Sequence, residues 1–110
     1  MIFDKEGNTT IVFQEDISLG TFLLNLNKAY EELQHDHIVV NLFSFDKLNA
    51  NDILEFLELS SKHRGARKSF VLVTEKVSYD EVPEEICLVP TIQEAKDIIE
   101  MEEIERDLEI

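Results

Sequence analysis

Two stretches, HIVVNLFSF at residues 37–45 and SFVLV at residues 69–73, constrain the fold more than any others. Each is a largely continuous apolar run rich in β-branched residues. A strand with one wet face alternates polar and apolar side chains, whereas a continuous run suits a strand covered on both faces. Between them, Ile53, Leu54, Phe56, Leu57 and Leu59 form the apolar side of an expected helix over residues 52–63. Two buried strands joined by a helix make a βαβ unit. That unit implies a parallel pair with a right-handed crossover.

The rest of the chain fits around this unit. In MIFDKEGNTTIVFQ, two short apolar runs flank Gly7-Asn8, a turn signal, so the segment reads as a β-hairpin. Leu19, Phe22, Leu23, Leu26, Tyr30 and Leu33 then recur at helical spacing, with Ser18 placed to cap the first turn and Gly20 weakening it slightly. Residues 74–85 are polar, contain Pro83, and read as a loop with at most one helical turn. ICLV is a short last strand. The closing helix opens with Pro90 and a capping box of Thr91 and Glu94, and carries an apolar stripe of Ile92, Ala95, Ile98 and Ile99. Beyond Met101 the stripe thins to Ile104 and Leu108, so residues 101–110 read as a helical extension overhanging the domain. The expected fold class is α/β: one domain over residues 1–110, order ββαβαββα, with helices packed on a mixed sheet.

Charge narrows the partners. The chain carries 24 acidic against 10 basic residues, a net charge of −14. Nucleic acid and anionic membranes both require a cationic face, so neither is expected. A basic protein surface is the expected complement. Cys87 is the only cysteine, which excludes an intrachain disulfide. No apolar run is long enough to span a bilayer, and MIFDKEGN lacks the features of a signal peptide, so a cytoplasmic protein is expected.

Three stretches, IVVNLFSFDKLNANDILEFL, SFVLVT and LVPTIQEAKDII, carry a resemblance to the STAS domain of anti-sigma-factor antagonists and anion transporters. The first resembles that family's strand, loop and helix, the second its following strand, the third its closing strand and helix. The resemblance spans roughly residues 10–100. It implies a STAS-like fold and a non-catalytic, protein-binding function with no cofactor. The whole chain, above all PTIQEAKDIIEMEEIERDL, is also similar to small bacterial proteins that carry the name ribonuclease Z. That name implies a metal-dependent hydrolase instead. A homodimeric structural or assembly subunit is the third alternative.

The departure from the STAS pattern lies in the turn. The family places Asp-Ser-Ser-Gly there and regulates docking by phosphorylating a serine. This chain places Asn49, Ala50, Asn51 and Asp52, and residues 45–59 contain no Ser, Thr or Tyr. A phosphate would bring about two negative charges and three acceptor oxygens, and no side chain here can receive one. Asn49 and Asn51 are good helix caps, and Asp52 suits a helix N-terminus. Asp46, Asn49, Asn51 and Asp52 are therefore expected to form a binding surface of fixed chemistry.

Other candidates read more plainly as structure. His35 and His37 would point the same way if both lay on a strand. A catalytic zinc needs three protein ligands and an open position. HDHIVV lacks the second half of the metallohydrolase His-x-His-x-Asp-His motif, and His63 is the only other histidine. A polar turn is the better reading, and no metal is expected. Cys87, in an apolar strand, reads as a small buried hydrophobe rather than a nucleophile. Lys62, Arg64, Arg67 and Lys68 gather at a helix end, where cations favour the dipole. The acidic residues from Glu100 to Glu109 surround Arg106 alone. They read either as a docking segment for a basic partner, anchored by Ile104, Leu108 and Ile110, or as a solvated helix end. Basic cluster and acidic tail could also pair across a homodimer.

Overall fold

The computed structural model describes residues 1–109. Five strands lie side by side in chain order: β1 Ile2–Glu6, β2 Thr9–Phe13, β3 His37–Asn41, β4 Phe70–Val73 and β5 Cys87–Val89. β1 runs antiparallel to β2, and β2 to β5 are mutually parallel. The hairpin closes at Gly7-Asn8, where Gly7 adopts φ 62°, in the left-handed region that glycine enters without strain. β1 is exposed along its whole length and carries Asp4, Lys5 and Glu6, charges that discourage edge-to-edge pairing.

Strand order dictates where the helices sit. Each parallel crossover steps in the same direction, and each is right-handed, so all connections from β2 to β5 fall on one face. That face carries α1 Leu19–Leu33, α2 Ala50–Leu54 and α3 Leu57–Gly65, whose core side chains, with Phe56 between α2 and α3, pack on Val12, Ile38, Val40 and Phe70. Only α4, Ile92–Leu108, is left to cover the other face, where Ala95 and Ile99 pack on Ile11, Val39, Val71 and Val73. Both faces are thus dry at β3 and β4, which is why their sequences are continuously apolar. Residues Tyr79–Glu81 form a single 3-10 turn, as their length allowed.

The expected continuous helix over 52–63 is two helices. Phe56 N–H bonds to the Ile53 carbonyl three residues back at 3.0 Å, which tightens the chain at Glu55-Phe56. This brings Phe56 fully into the core, its ring 6.4 Å from that of Phe22. Leu54, expected to be buried, is exposed instead. Past α3, Arg67 adopts φ 64°, and the Arg67 and Lys68 N–H groups bond back to the Arg64 and His63 carbonyls. The helix end is thereby closed by a left-handed residue, although that residue is an arginine.

Candidate functional site

The turn that carries Asp46, Asn49, Asn51 and Asp52 follows the C-terminal end of β3. It is held from below by its own apolar residues. Leu42 is fully buried, and Leu48 packs on the core. The Phe45 ring meets Phe22 edge-on at 5.5 Å. Polar bonds hold it from the sides: Leu42 N–H to the Val73 carbonyl at 2.9 Å, and the Ser44 hydroxyl to the Gln14 carbonyl at 2.6 Å. The turn is therefore a fixed surface feature on a rigid scaffold.

Asn49 is the cap of α2. Its Oδ1 accepts from Asp52 N–H at 3.0 Å, and Asp52 Oδ2 accepts from Asn49 N–H at 3.0 Å. This reciprocal pair satisfies two otherwise orphan donors and sets a carboxylate at the positive end of the helix. Asp46, Asn49 and Asn51 are exposed, and Asp52 is half-buried. All four lie within seven residues of one turn, with the exposed apolar side chains Phe43 and Leu54 at its two ends. Of the nearest hydroxyls, Ser44 is spent on Gln14 and Ser60 is fully buried.

His35 and His37 do not share a strand; His35 lies in the polar turn read from the sequence. α1 ends at Leu33, and the Asp36 N–H bonds to the Leu33 carbonyl at 3.0 Å, closing a turn that holds His35 exposed. β3 begins only at His37, which is buried on the α4 face. Its Nδ1 accepts from Ser69 N–H at 3.0 Å, so Nε2 bears the proton and donates to Glu103 Oε1 at 2.8 Å. His63 is fully buried on the opposite face. Its Nε2 donates to the Asp36 carbonyl at 2.7 Å, so Nδ1 accepts from the Tyr30 hydroxyl at 2.8 Å. Burial pushes both imidazoles below the usual histidine pKa. For His37 the Glu103 carboxylate opposes that effect, and for His63 the Asp36 carbonyl does. Every ring nitrogen of His37 and His63 is committed to a partner. Neither ring can serve as a base or a metal ligand without abandoning a buried bond. Among the described residues, no group of three or more His, Cys, Asp or Glu side chains converges as a metal site.

Cys87 is likewise a poor nucleophile. Burial, with the Glu102 carboxylate adding to it, pushes its thiol up to about 11. It packs beside Ala95, Ile99 and their neighbours on the α4 face.

The basic cluster and the acidic helix pair within the chain. Arg64 Nη2 lies 3.2 Å from Glu102, Arg67 Nη2 lies 2.9 Å from Glu109, and Arg106 Nη2 donates to Ser69 Oγ at 3.0 Å. Ser69 Oγ in turn donates to Glu102 Oε1 at 2.6 Å. The extension expected to overhang is thus tied down along the N-terminal rim of β3 and β4. Ile110, the third expected anchor, lies outside the described residues. A hint of this network was present in the sequence: His37 and Ser69 each stand one residue before the paired strand positions Ile38 and Phe70, which face the other helices. Both therefore face α4, where Glu102, Glu103 and Arg106 share a side.

A cleft of about 470 Å³ opens at the C-terminal ends of β4 and β5 between Thr74, Val77, Tyr79, Leu88 and Glu94. Nothing in the sequence singled it out. α/β sheets often bind ligands at this edge, but here the strand order does not reverse, so no crevice forms between diverging crossovers.

No protein-family model matches the chain, and no curated protein matches it. Among solved structures it is similar to a serine-to-glutamate variant of RsbS from Moorella thermoacetica. The TM-score is 0.64 at 13% identity, over 90% of this chain and 93% of that one. The ribonuclease Z resemblance finds no support. At that identity the similarity speaks to architecture alone, and the architecture is plain: this chain has the STAS-like fold, a five-stranded mixed sheet with helices on both faces.

Proposed function

We propose that this chain is a non-catalytic protein-interaction module. Its binding surface is the turn bearing Asp46, Asn49, Asn51 and Asp52, and its chemistry is fixed rather than switched by phosphate. The observation that carries this reading is the reciprocal Asn49–Asp52 cap at 3.0 Å in both directions, set in an exposed turn without a free hydroxyl. A preorganised surface loses little entropy on docking. Asp46 and Asp52 present negative charge to a basic partner, and Phe43 and Leu54 supply apolar contact at the ends. The STAS-like fold supports a regulator of the anti-sigma-factor-antagonist type lacking the phosphorylatable serine. The commitment of both buried histidines and the unreactive thiol argue against a hydrolase.

The test is affinity purification from the native host with wild-type chain and with Asp46→Lys/Asn51→Lys. This pair leaves the Asn49–Asp52 cap intact. The reading predicts a specific partner that the double variant fails to recover. Recovery of the same partner by both chains, or of none by either, refutes it.

A further inference from the structure

The closing helix α4 is docked on the sheet, yet its outward face is apolar. Met101, Ile104 and Leu108 are 60%, 55% and 80% exposed. Their spacing of three and four residues puts them on one stripe, since each residue advances about 100° around the helix. The stripe lies opposite Ala95, Ile99 and Arg106, the side chains that face the sheet. A helix merely overhanging solvent has no reason to carry apolar residues on the side away from its own domain.

The charges beside the stripe are all of one sign. Glu100, Glu105 and Asp107 are exposed along it, and among the described residues none has a cation within 4.0 Å. Both cations of α4 are held elsewhere: Lys96 on Glu6 at 3.0 Å, and Arg106 on Ser69 and Glu102. The outward face therefore combines apolar anchors with exposed carboxylates on a helix fixed by His37–Glu103, Arg64–Glu102 and Arg67–Glu109; Glu105 and Asp107 also border shallow clefts that Arg64, Arg67, Lys68 and Arg106 help line, while Glu100 borders none of these. A second copy of this chain is a poor occupant, because packing α4 on itself would oppose carboxylate to carboxylate. An anionic membrane is repelled for the same reason.

We propose that this face docks a cationic amphipathic helix of a partner protein. The partner's apolar residues would lie on Met101, Ile104 and Leu108, and its flanking Lys or Arg side chains would meet Glu100, Glu105 and Asp107. The surface is on the opposite side of the sheet from α1, α2 and α3, so it stands apart from the turn at residues 46–52. Variants there leave it untouched, and failure at one surface is distinguishable from failure at the other.

The probe is a synthetic amphipathic peptide of about 18 residues, with leucine at helical spacing and lysine on both flanks. A twin keeps the leucines and replaces every lysine by glutamate. Calorimetry compares the wild-type chain with Met101→Ser/Ile104→Ser/Leu108→Ser, whose fold is checked by its melting temperature. The lysine peptide binds wild type and binds the triple variant at least about tenfold more weakly. Its affinity falls between about 0.05 M and about 0.5 M salt, and the glutamate twin does not bind. The proposal is overturned if the lysine peptide fails to bind wild type or binds both chains equally. It is equally overturned if the glutamate twin binds as well, or if light scattering shows a wild-type dimer that the triple variant dissociates.

Discussion

Tyr30→Phe removes one oxygen from the middle of the core, and the structure says what that costs. The Tyr30 hydroxyl donates to His63 Nδ1 at 2.8 Å. His63 cannot turn to another tautomer, because its Nε2–H is needed by the Asp36 carbonyl at 2.7 Å. Phenylalanine keeps the ring contacts: the edge-on packing on His63 at 5.4 Å and the Lys62 ammonium 4.8 Å from the ring centre. The loss is thus confined to one hydrogen bond and one orphaned acceptor on a fully buried imidazole. A buried polar atom left without a partner costs about 1–3 kcal/mol. The central value of about 2 kcal/mol lowers Tm by about 8 °C in a domain of this size. Urea unfolding gives the free energy, and the ¹⁵N shifts of the His63 ring report the tautomer. Tyr79→Phe is the matched control, since Tyr79 is 75% exposed and should leave stability unchanged. A loss for Tyr30→Phe below about 0.5 kcal/mol, or a proton found on Nδ1 in the wild type, would refute the reasoning.

Three further outcomes follow from the same contacts. Acid should destabilise the fold: burial lowers the folded-state pKa of both His37 and His63, so the unfolded chain takes up protons first. Their stabilisation is complete above the unfolded value of about 6.5 and is lost as pH falls from there through the lower folded value, by at most about 1.4 kcal/mol per pH unit for each ring; a urea midpoint that stays flat or rises from about pH 8 to about pH 5 contradicts this. Asn49→Ala should cost about 1 kcal/mol and speed hydrogen exchange at Asp52 and Ile53 while leaving β3 protected; unchanged exchange there would show that the cap does not hold α2. Cys87, half-buried and with its thiol pushed up to about 11, should carry about 100-fold less thiolate than an unperturbed cysteine, so iodoacetamide should label it slowly in the native chain and quickly in urea, and equal rates would show that the native fold does not suppress the thiolate.

The sheet was legible because burial on both faces leaves no alternation to misread. β3 and β4 announce themselves as continuous apolar runs, and the parallel pairing follows from the helix between them. The break at Glu55-Phe56 was not legible, because Ile53, Leu54, Phe56, Leu57 and Leu59 satisfy helical spacing well enough whether or not the axis bends. What decides the break is the Phe22 ring, remote in sequence, against which Phe56 packs at 6.4 Å. The same limit applies to the polar network. His37, Ser69, Glu102 and Arg106 are scattered along the chain, and only strand register and the return of α4 bring them together.

The turn at residues 46–52 was legible for a different reason. A cap is a local device: Asn49 and Asp52 stand three residues apart, and their bonds need no distant partner. The absence of a hydroxyl between residues 45 and 59 is likewise a property of the sequence alone. Folding adds what the sequence could not supply, which is the fate of the flanking hydroxyls. Ser60, near enough in sequence to substitute for a missing serine, is sealed in the core beside Phe56, and its N–H bonds to the Phe56 carbonyl at 2.9 Å. Ser44 is exposed but donates to the Gln14 carbonyl at 2.6 Å, so modifying it would break a bond that ties the turn to the end of β2. A phosphate in this region would therefore have to undo the scaffold that presents the surface. That is a physical reason why the chemistry of this turn is fixed, independent of any likeness in fold.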